Sequence, residues 1–362
     1  MIDRAMQKSS KTLRILILGG TGNIGPYHVH AALNRGHKVS VFSRGIRPSC
    51  FPAQVEMLTG DLNGDFDAIK NRDWDAVLDV ATFGPLWIRI LGSALNGRVG
   101  HYTFISTDSV YENPISNPAG SREGDKVVEY SGAEDPYSIT QFREVDEYRQ
   151  LKVLCEREAE KQFPGSALIV RPTFIVGPGT GEHTYWPVRM ERGGEILVAG
   201  DPLAAVQMID VRDMAEWIIL MIEQREHGIF NAVGPAAPIG FAEMLGSIRG
   251  ITSSPVSLVW VPVTWLQEHV PPIWSNPLMW LTEAGIPGLM SVRSDKAIAR
   301  GLTFRALSVT AADSLSWYRD QPPERQPKLL LGLNGVGSIE DSMRRERELL
   351  DAWHTLHKDA RG

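Results

Sequence analysis

The stretch that most constrains the fold is a short apolar run that ends in closely spaced glycines. Residues 15–18 are all apolar, and Gly20, Gly22 and Gly25 follow in the pattern G-x-G-x-x-G. A continuous apolar run is typical of a strand covered on both faces. Glycines at this spacing allow a tight turn, a close approach to a pyrophosphate and the packing of a helix on a strand. The stretch therefore predicts a strand, a glycine turn and a helix over 23–35 that together bind a dinucleotide.

Charge and cysteine content narrow the class of protein. The 362-residue chain has a net charge of −6 and a pI of about 5.9, so nothing favours binding to nucleic acid or to an acidic membrane. Cys50 and Cys155 cannot form a disulfide framework and lie in no metal-like cluster. We expect a cytoplasmic protein without a bound metal. Residues 1–12 lack the apolar core of a signal peptide and are expected to be a flexible leader, and no apolar run is long enough for a membrane span.

Strand and helix patterns alternate after the glycine turn. Apolar runs predict further strands at 38–43, 55–59, 74–81 and 102–106. Helical spacing predicts a helix over 85–95, between the last two of these strands. This alternation predicts an α/β fold with a Rossmann-type, doubly wound parallel sheet whose carboxyl ends line the ligand crevice. We expect a nucleotide-binding domain over 13–176, a smaller C-terminal substrate-binding lobe over 177–330 in which 207–234 return to the sheet, and a helical segment over 331–362.

The second strand bears on the choice of nucleotide. A dinucleotide fold places an acid about twenty residues after the glycines when it binds a ribose 2′-hydroxyl. Here the chain has Ser43 and Arg44, with Arg47 close by, which favours the 2′-phosphate of NADP over NAD. The alternative is a solvated loop. At the end of the third strand, Asp61 either receives the adenine amino group or caps the next turn.

Two further stretches carry polar chemistry. Residues 105–111 place several hydroxyls and one carboxylate at a predicted strand end, where a buried strand has little use for them. Tyr148 and Lys152 are spaced i, i+4 in a long charged helix predicted over 141–163, so they share one helix face. A surface pair is the alternative reading.

Together, these features resemble the extended branch of the short-chain dehydrogenase/reductase superfamily, the NAD-dependent epimerase/dehydratase-like proteins. The glycine turn, the strand end at 106–111 and Tyr148-x-x-x-Lys152 occur in that family's order. The stretches 170–179 and 206–215 also resemble family segments, so the likeness covers roughly residues 13–318.

The resemblance implies roles for individual residues. Tyr148 would be the general acid/base, Lys152 would stabilise its phenolate and bind the nicotinamide ribose, and Thr107 would hold the substrate oxygen, with Asp108 as a further candidate acid. The implied cofactor contacts are Gly19, Gly20, Thr21, Gly22, Asn23, Ile24, Gly25, Ser43, Arg44, Asp61, Leu62, Ala81, Thr82, Ser106, Lys152, Pro172, Thr173 and Phe174.

The chain departs from the family pattern in three places. Arg149 follows the tyrosine where many members have a small residue, and 113–136 form an insertion, expected to be either a flap or a disordered excursion. Ser109 stands where dehydratases have a glutamate. Redox chemistry or epimerisation is therefore favoured over dehydration.

Candidate substrate contacts lie mainly beyond residue 177. They are Phe83, Ser109, His183, Tyr185, Trp186, Arg189 and Gln207. The alternative is that the lobe residues have no function: the aromatic side chains would pack in a core, and the arginine would be solvated. Residues 260–287 are rich in Trp, Pro and Leu and predict a small second core, with a pocket cover or contact surface as alternatives. A charged amphipathic helix over 340–357 predicts a packing or oligomer element.

The sequence thus favours an NAD(P)-dependent oxidoreductase acting on a carbonyl or alcohol carbon of a small metabolite. The alternatives are a sugar or nucleotide-sugar epimerase and, in a different class, a non-catalytic dinucleotide-sensing regulator. The expected partner is a small-molecule substrate, with a homodimer as a further possibility.

Overall fold

A computed structural model describes residues 11–47, 50–112, 120–180, 184–269, 290–326 and 339–359. The strands are β1 Arg14–Leu18, β2 Lys38–Ser43, β3 Glu56–Thr59, β4 Ala76–Asp79, β5 Tyr102–Ile105, β6 Ala167–Pro172, β7 Ile175–Val176, β8 Gly194–Ala199, β9 Ala205–Val206, β10 Ile209–Asp210, β11 Gly228–Ala232, β12 Ile239–Gly240 and β13 Val256–Val261. The helices are α1 Gly25–Asn34, α2 Pro85–Leu95, α3 Val145–Gln162, α4 Tyr185–Glu191, α5 Val211–Gln224, α6 Phe241–Arg249, α7 Val263–His269, α8 Asp295–Ala299, α9 Leu307–Arg319 and α10 Ile339–Asp359.

Seven parallel strands form the central sheet, in the order β11-β6-β5-β4-β1-β2-β3. In β1, all four residues from Ile15 to Leu18 are fully buried, as their unbroken apolar run predicts for a strand covered on both faces. The order reverses at β1, because β2 lies on one side of it and β4 on the other. Ligands bind at such a switch point, beyond the carboxyl ends of the strands. The predicted doubly wound α/β fold is confirmed.

Helices cover both faces of this sheet. On one face α1 and α5 pack together over an apolar core that includes Ile15, Ile17 and Ile218. On the other face α2 packs against α3, and the core there includes Leu16, Ile88 and Cys155. Since α3 carries the Tyr148 and Lys152 pair, this second layer positions the predicted catalytic helix over the sheet.

The C-terminal lobe has its own core and a small parallel sheet formed by β8 and β13. Helices α4, α6 and α9 pack around that core, and α10 contacts β8. Trp260 and Trp265 are partly buried against it, in keeping with a small second core. Trp274 and Trp280 from the same Trp-rich stretch lie outside the described residues.

The two regions are interleaved along the chain. Strand β11 completes the central sheet, and α8 then packs against β11. Ala297 and Leu302 join the core beneath α1 and α5. Part of the 177–330 segment that was predicted to be mainly substrate-binding lobe therefore belongs to the nucleotide-binding region, because its apolar residues complete that core.

Candidate active site at the carboxyl ends of the central strands

The glycine turn after β1 has no room for side chains. Gly19 has a φ of +78°, and a Cβ there would lie 2.6 Å from the Cβ of Ala81. A Cβ on Gly25 would overlap the carbonyl oxygen of Gly19. The turn closes on itself through a 2.9 Å hydrogen bond from the Gly22 N–H to the Gly19 oxygen. The backbone is therefore bare where a pyrophosphate must approach it.

The first turn of α1 offers free backbone donors to an anion. The residue before the helix is Ile24, whose side chain cannot cap it, and Pro26 is the second residue of the helix. Thr82, at the end of β4, has a buried hydroxyl for which the described residues supply no hydrogen-bond partner. An uncapped helix start, a turn without side chains and an unpaired buried hydroxyl fit a bound dinucleotide phosphate and its ribose.

The residues predicted to meet the adenosine end lie beyond β2. Ser43 ends β2, Arg44 is exposed, and the exposed Arg47 donates to the Thr21 oxygen of the glycine turn at 3.0 Å. Asp61 caps its own turn, because its Oδ1 accepts from the backbone and the side chain of Asn63. Of the two roles left open for Asp61, the structure shows the structural one. Leu62 beside it is partly buried in the core under α2.

Tyr148 and Lys152 lie on the same face of α3. The Lys152 Nζ is 5.8 Å from the centre of the Tyr148 ring. It donates to the carbonyl oxygens of Thr82 at 2.8 Å and Ile105 at 2.6 Å, so Lys152 joins the ends of β4 and β5. The side chain is buried, and desolvation lowers the pKa of its ammonium. Two of its three N–H groups are used by these carbonyls, and the ammonium also lies 4.3 Å from the centre of the Phe104 ring.

The Tyr148 phenol faces the same place. Helix α3 packs against the turn after β5, and the neighbouring Arg149 is bonded to the Ser109 oxygen of that turn, so Tyr148 lies at the end of α3 that meets it. Burial, with smaller contributions from Cys155 and Asp108, raises the pKa of Tyr148 to about 12. The phenol is thus protonated at neutral pH in the absence of additional positive charge.

Thr107 begins a single 3₁₀ turn over Asp108–Val110. Its Oγ1 accepts from the Ser109 N–H at 3.2 Å and lies 3.0 Å from the Ser109 Oγ. Asp108 is buried, and desolvation raises the pKa of its carboxyl to about 7, opposed by the Thr173 hydroxyl and by backbone N–H groups. The Thr107 and Ser109 hydroxyls and the buried Asp108 carboxyl therefore lie together in the turn that contacts the start of α3.

Arg149 explains one departure from the family pattern. Its Nε donates to the Ser109 oxygen at 2.7 Å, and its Nη2 donates to the Tyr111 oxygen. The guanidinium therefore ties the start of α3 to the turn that carries Thr107. A small residue at position 149 could not make this connection.

Behind the site lies a buried ion pair that the sequence analysis missed. Glu156 is bound by Arg171 through two hydrogen bonds of 2.9 and 2.6 Å, and it also accepts from the Ser106 hydroxyl at 2.5 Å. The side chain of Ser106, predicted to contact the cofactor, is therefore turned to Glu156 instead. The available signal was the spacing, since Glu156 lies one turn after Lys152 on the face of α3 that meets the sheet.

The remaining predicted cofactor contacts are at strand ends. Ala81 follows β4, and its N–H donates to Asp79. Pro172 ends β6, Thr173 is buried, and Phe174 is partly buried against the lobe core. These positions lie where β4 and β6 reach the crevice, on the same edge of the sheet as the glycine turn.

Three predicted substrate contacts in the lobe are instead core residues. Tyr185 and Trp186 are fully buried in the lobe core, and burial raises the pKa of Tyr185. Arg189 is buried with Glu346 of α10, and its other nitrogens donate to the oxygens of Gly193 and Glu195. The structure thus encloses Trp186 and Arg189 within the lobe, and the Tyr185 hydroxyl is buried there without a hydrogen-bond partner among the described residues.

Gln207 is also occupied. Its side-chain amide accepts from the Val292 N–H and donates to the Val292 oxygen, both at 2.9 Å, so it holds the chain at 292 instead of a substrate. His183, another predicted contact, lies outside the described residues. Phe83 follows β4 and is half-buried beside the site.

The described part of the insertion, from residue 120 onward, packs along the sheet edge. The Val128 N–H donates to the Val110 oxygen at 2.8 Å, and the Asn231 N–H donates to Glu123 at 3.1 Å. Residues 113–119 of the insertion lie outside the described part. From 120 to 128 the chain is thus bonded to the 3₁₀ turn after β5 and to the end of β11.

Within the described ranges, no helix is long and apolar enough to cross a bilayer. The same residues contain no group of three or more His, Cys, Asp or Glu side chains placed to hold a metal ion.

Comparison with known proteins bears on the family. The model of the NAD dependent epimerase/dehydratase family matches residues 15–87 and 86–233. Among curated proteins, the chain is 24% identical over 273 residues to a 2′-dehydrokanamycin reductase of Streptomyces kanamyceticus, covering 72% of each chain.

Solved structures share the fold. UDP-N-acetylglucosamine 4-epimerase from Bacillus cereus is 16% identical, with a TM-score of 0.61, over 86% of this chain and 98% of that one. RMD from Pseudomonas aeruginosa, solved with NADPH, is 16% identical, with a TM-score of 0.57, over 86% and 100%. The family match spans the glycine turn, the Thr107 strand end and the Tyr148 and Lys152 pair. This chain belongs to the NAD dependent epimerase/dehydratase family, within the extended short-chain dehydrogenase/reductases, and is an NAD(P)-dependent enzyme.

Proposed function

We propose that the protein is an NAD(P)-dependent oxidoreductase acting on a carbonyl or alcohol carbon of a small metabolite, with Tyr148 as the general acid/base. The observation that carries the proposal is the position of Lys152. Its ammonium bonds the ends of β4 and β5 and lies one helical turn from the Tyr148 phenol, on the edge where the glycine turn is also found.

The state of Tyr148 suits proton transfer to a carbonyl oxygen. With its pKa raised to about 12, the phenol keeps its proton at neutral pH and donates it as the carbonyl becomes an alcohol. A bound nicotinamide would supply or accept the hydride. In the oxidative direction Tyr148 must lose its proton first, and the ammonium of Lys152 favours the phenolate by opposite charge.

Thr107 and Lys152 complete the arrangement. The Thr107 hydroxyl, fixed by the Ser109 N–H, would hold the substrate oxygen against Tyr148. The remaining N–H of Lys152 would bind the ribose of the nicotinamide, and the uncapped start of α1 would bind the pyrophosphate. In this arrangement Thr107 orients the substrate, Lys152 and the start of α1 bind the cofactor, and Tyr148 transfers the proton.

Two observations favour simple redox over elimination. Ser109 offers a hydroxyl where a carboxylate would be needed to abstract a second proton, and this hydroxyl already lies at hydrogen-bond distance from Thr107. The curated relative is, by its name, a reductase. Epimerisation is the second candidate, since the family to which the chain belongs includes epimerases by its description.

We further propose that NADP is preferred over NAD. Neither Ser43 nor Arg44 at the end of β2 is acidic, and Arg47 lies beside the glycine turn through its bond to Thr21. Replacing Arg47 with Ala should reduce the NADPH-over-NADH preference about tenfold, which corresponds to one charged contact with the 2′-phosphate. Arg47→Lys should keep most of the preference. Equal affinities of the Arg47→Ala and unmodified proteins for NADPH would contradict this assignment.

The reaction type is tested by absorbance at 340 nm in two assays, one with NADPH and a panel of aldehydes, ketones and oxidised sugars, and one with NADP⁺ and the corresponding alcohols and unoxidised sugars. An oxidoreductase consumes one NADPH for each alcohol formed. An epimerase forms an isomer with no net change in absorbance. Binding of NADPH with neither product, across the whole panel, would favour a dinucleotide sensor.

A further inference from the structure

A row of aromatic rings leads from the end of β4 to the proposed acid/base. The ring centres of Phe83 and Phe142 are 5.3 Å apart, and those of Phe142 and Tyr148 are 5.0 Å apart. On its other side, Phe83 packs edge-on against Trp87 at 4.7 Å. Phe142 therefore lies between a strand end that borders the crevice and the phenol that acts there.

The outer members of this row are open to solvent. Phe142 is 42% exposed, and Val145, one helical turn before Tyr148, is 72% exposed. Seven large apolar side chains in the described parts of the chain are exposed. Two of them are near Tyr148: Phe142 lies six residues before it, and Val145 lies three residues before it. An apolar face left open beside a reactive group is typical of a binding surface.

Two arginines of the described chain that lie near Tyr148 in sequence are already engaged. Arg149 is bound to backbone oxygens and to Asp146, and Arg143 is bound to Glu134. Arg189, the cation that the sequence suggested for an anionic substrate, is enclosed with Glu346 in the lobe. With Arg143 and Arg149 paired in this way, neither guanidinium is offered to a phosphate or diphosphate on the substrate.

We propose that Phe142 and Val145 form the face on which the substrate ring packs, and that the substrate is a cyclic ketone or cyclic alcohol without a phosphate group. This inference rests on the proposed function and narrows its substrate class. The ring would lie against Phe142 while its oxygen reaches the Tyr148 hydroxyl. Phe142 is thus a specificity-determining residue, distinct from the groups that move the proton.

The test is ligand-observed NMR titration of the protein saturated with NADP⁺, which cannot reduce a ketone. The probes are cyclohexanone, the open-chain 2-hexanone of the same carbon number, and UDP-glucose. Phe142→Ala should weaken cyclohexanone binding about fivefold, and 2-hexanone binding less than about twofold. Phe142→Tyr keeps the ring and should stay within about twofold of the unmodified protein.

Leu203→Ala serves as the matched control, because Leu203 is an exposed apolar residue of the lobe. It should bind both ketones as the unmodified protein does. Equal weakening of both ketones by Phe142→Ala, absence of cyclohexanone binding, or micromolar binding of UDP-glucose would overturn the inference. The titration needs no turnover and can be repeated in Tyr148→Phe protein, so its outcome is independent of whether Tyr148 is the acid/base.

Discussion

The nucleotide-binding region and the C-terminal lobe use buried polar side chains in different ways. At the carboxyl ends of β4 and β5, the Thr82 hydroxyl has no partner among the described residues, and the Lys152 ammonium bonds the carbonyl oxygens of Thr82 and Ile105. In the lobe, Arg189 and Glu346 satisfy each other and the surrounding backbone. Among the described residues, the buried hydroxyls of Thr184 and Tyr185 in the lobe also lack a partner. An incomplete set of hydrogen bonds therefore points to a binding site only where the fold also places a ligand, at the carboxyl ends of the strands.

The largest effect on stability is expected from the lobe. Arg189→Ala leaves the Glu346 carboxylate buried and unpaired, which should lower the free energy of unfolding by about 3–5 kcal/mol. Affinity for NADPH should not change, because Arg189 lies outside the nucleotide-binding region. Urea unfolding and NADPH fluorescence titration measure the two quantities. A variant of normal stability with weakened substrate binding would instead restore Arg189 to the substrate site.

Replacing Asp108 should stabilise the protein at high pH, whereas replacing Arg189 destabilises it. Its folded pKa of about 7 lies above that of the unfolded chain, so the stability associated with its protonated form is present below about pH 4 and is lost as pH rises through about 7. In cofactor-free protein, Asp108→Asn should therefore raise the free energy of unfolding by up to about 4 kcal/mol at pH 8, and by almost nothing at pH 4. Urea unfolding at both pH values measures the difference. A variant that is less stable at pH 8 would show that the ionised carboxyl contributes to the fold.

The role of the glycine turn is tested by comparing the NADPH affinity of a variant in the turn with that of a variant in the lobe. Gly25→Ala places a methyl group against the Gly19 oxygen and should weaken NADPH binding by at least about 100-fold, measured by fluorescence titration. Gly246→Ala is the matched control, since a Cβ in that position of α6 meets no atom within 4 Å. The Gly246 variant should bind NADPH normally. Equal affinities of the two variants would mean that the turn does not hold the pyrophosphate.

Much of the nucleotide-binding region was predictable because its signals are local. The buried run before Gly20 predicted β1, and the i, i+4 spacing placed Tyr148 and Lys152 on one face. The helix over Pro85–Leu95 was predicted with its observed bounds. The helix of Tyr148 was predicted to start four residues too early, since α3 begins at Val145 after an irregular segment.

The errors in the lobe have a common physical cause. Arg189 is paired with a residue 157 positions away, and Gln207 with one 85 positions away. No local pattern reports such a pairing, so an arginine and a glutamine after a strand end looked like ligands. The role of Arg149 was hidden for the same reason, because its partners lie about 40 residues earlier in the chain.

The central claim is that Tyr148 transfers a proton to or from the substrate, while other residues bind the cofactor. It is tested most directly by measuring NADPH affinity and ketone turnover together in Tyr148→Phe protein. We predict an NADPH dissociation constant within about threefold of the unmodified value and a turnover reduced at least about 100-fold. A variant that binds NADPH normally and keeps more than about a tenth of the turnover would contradict the account.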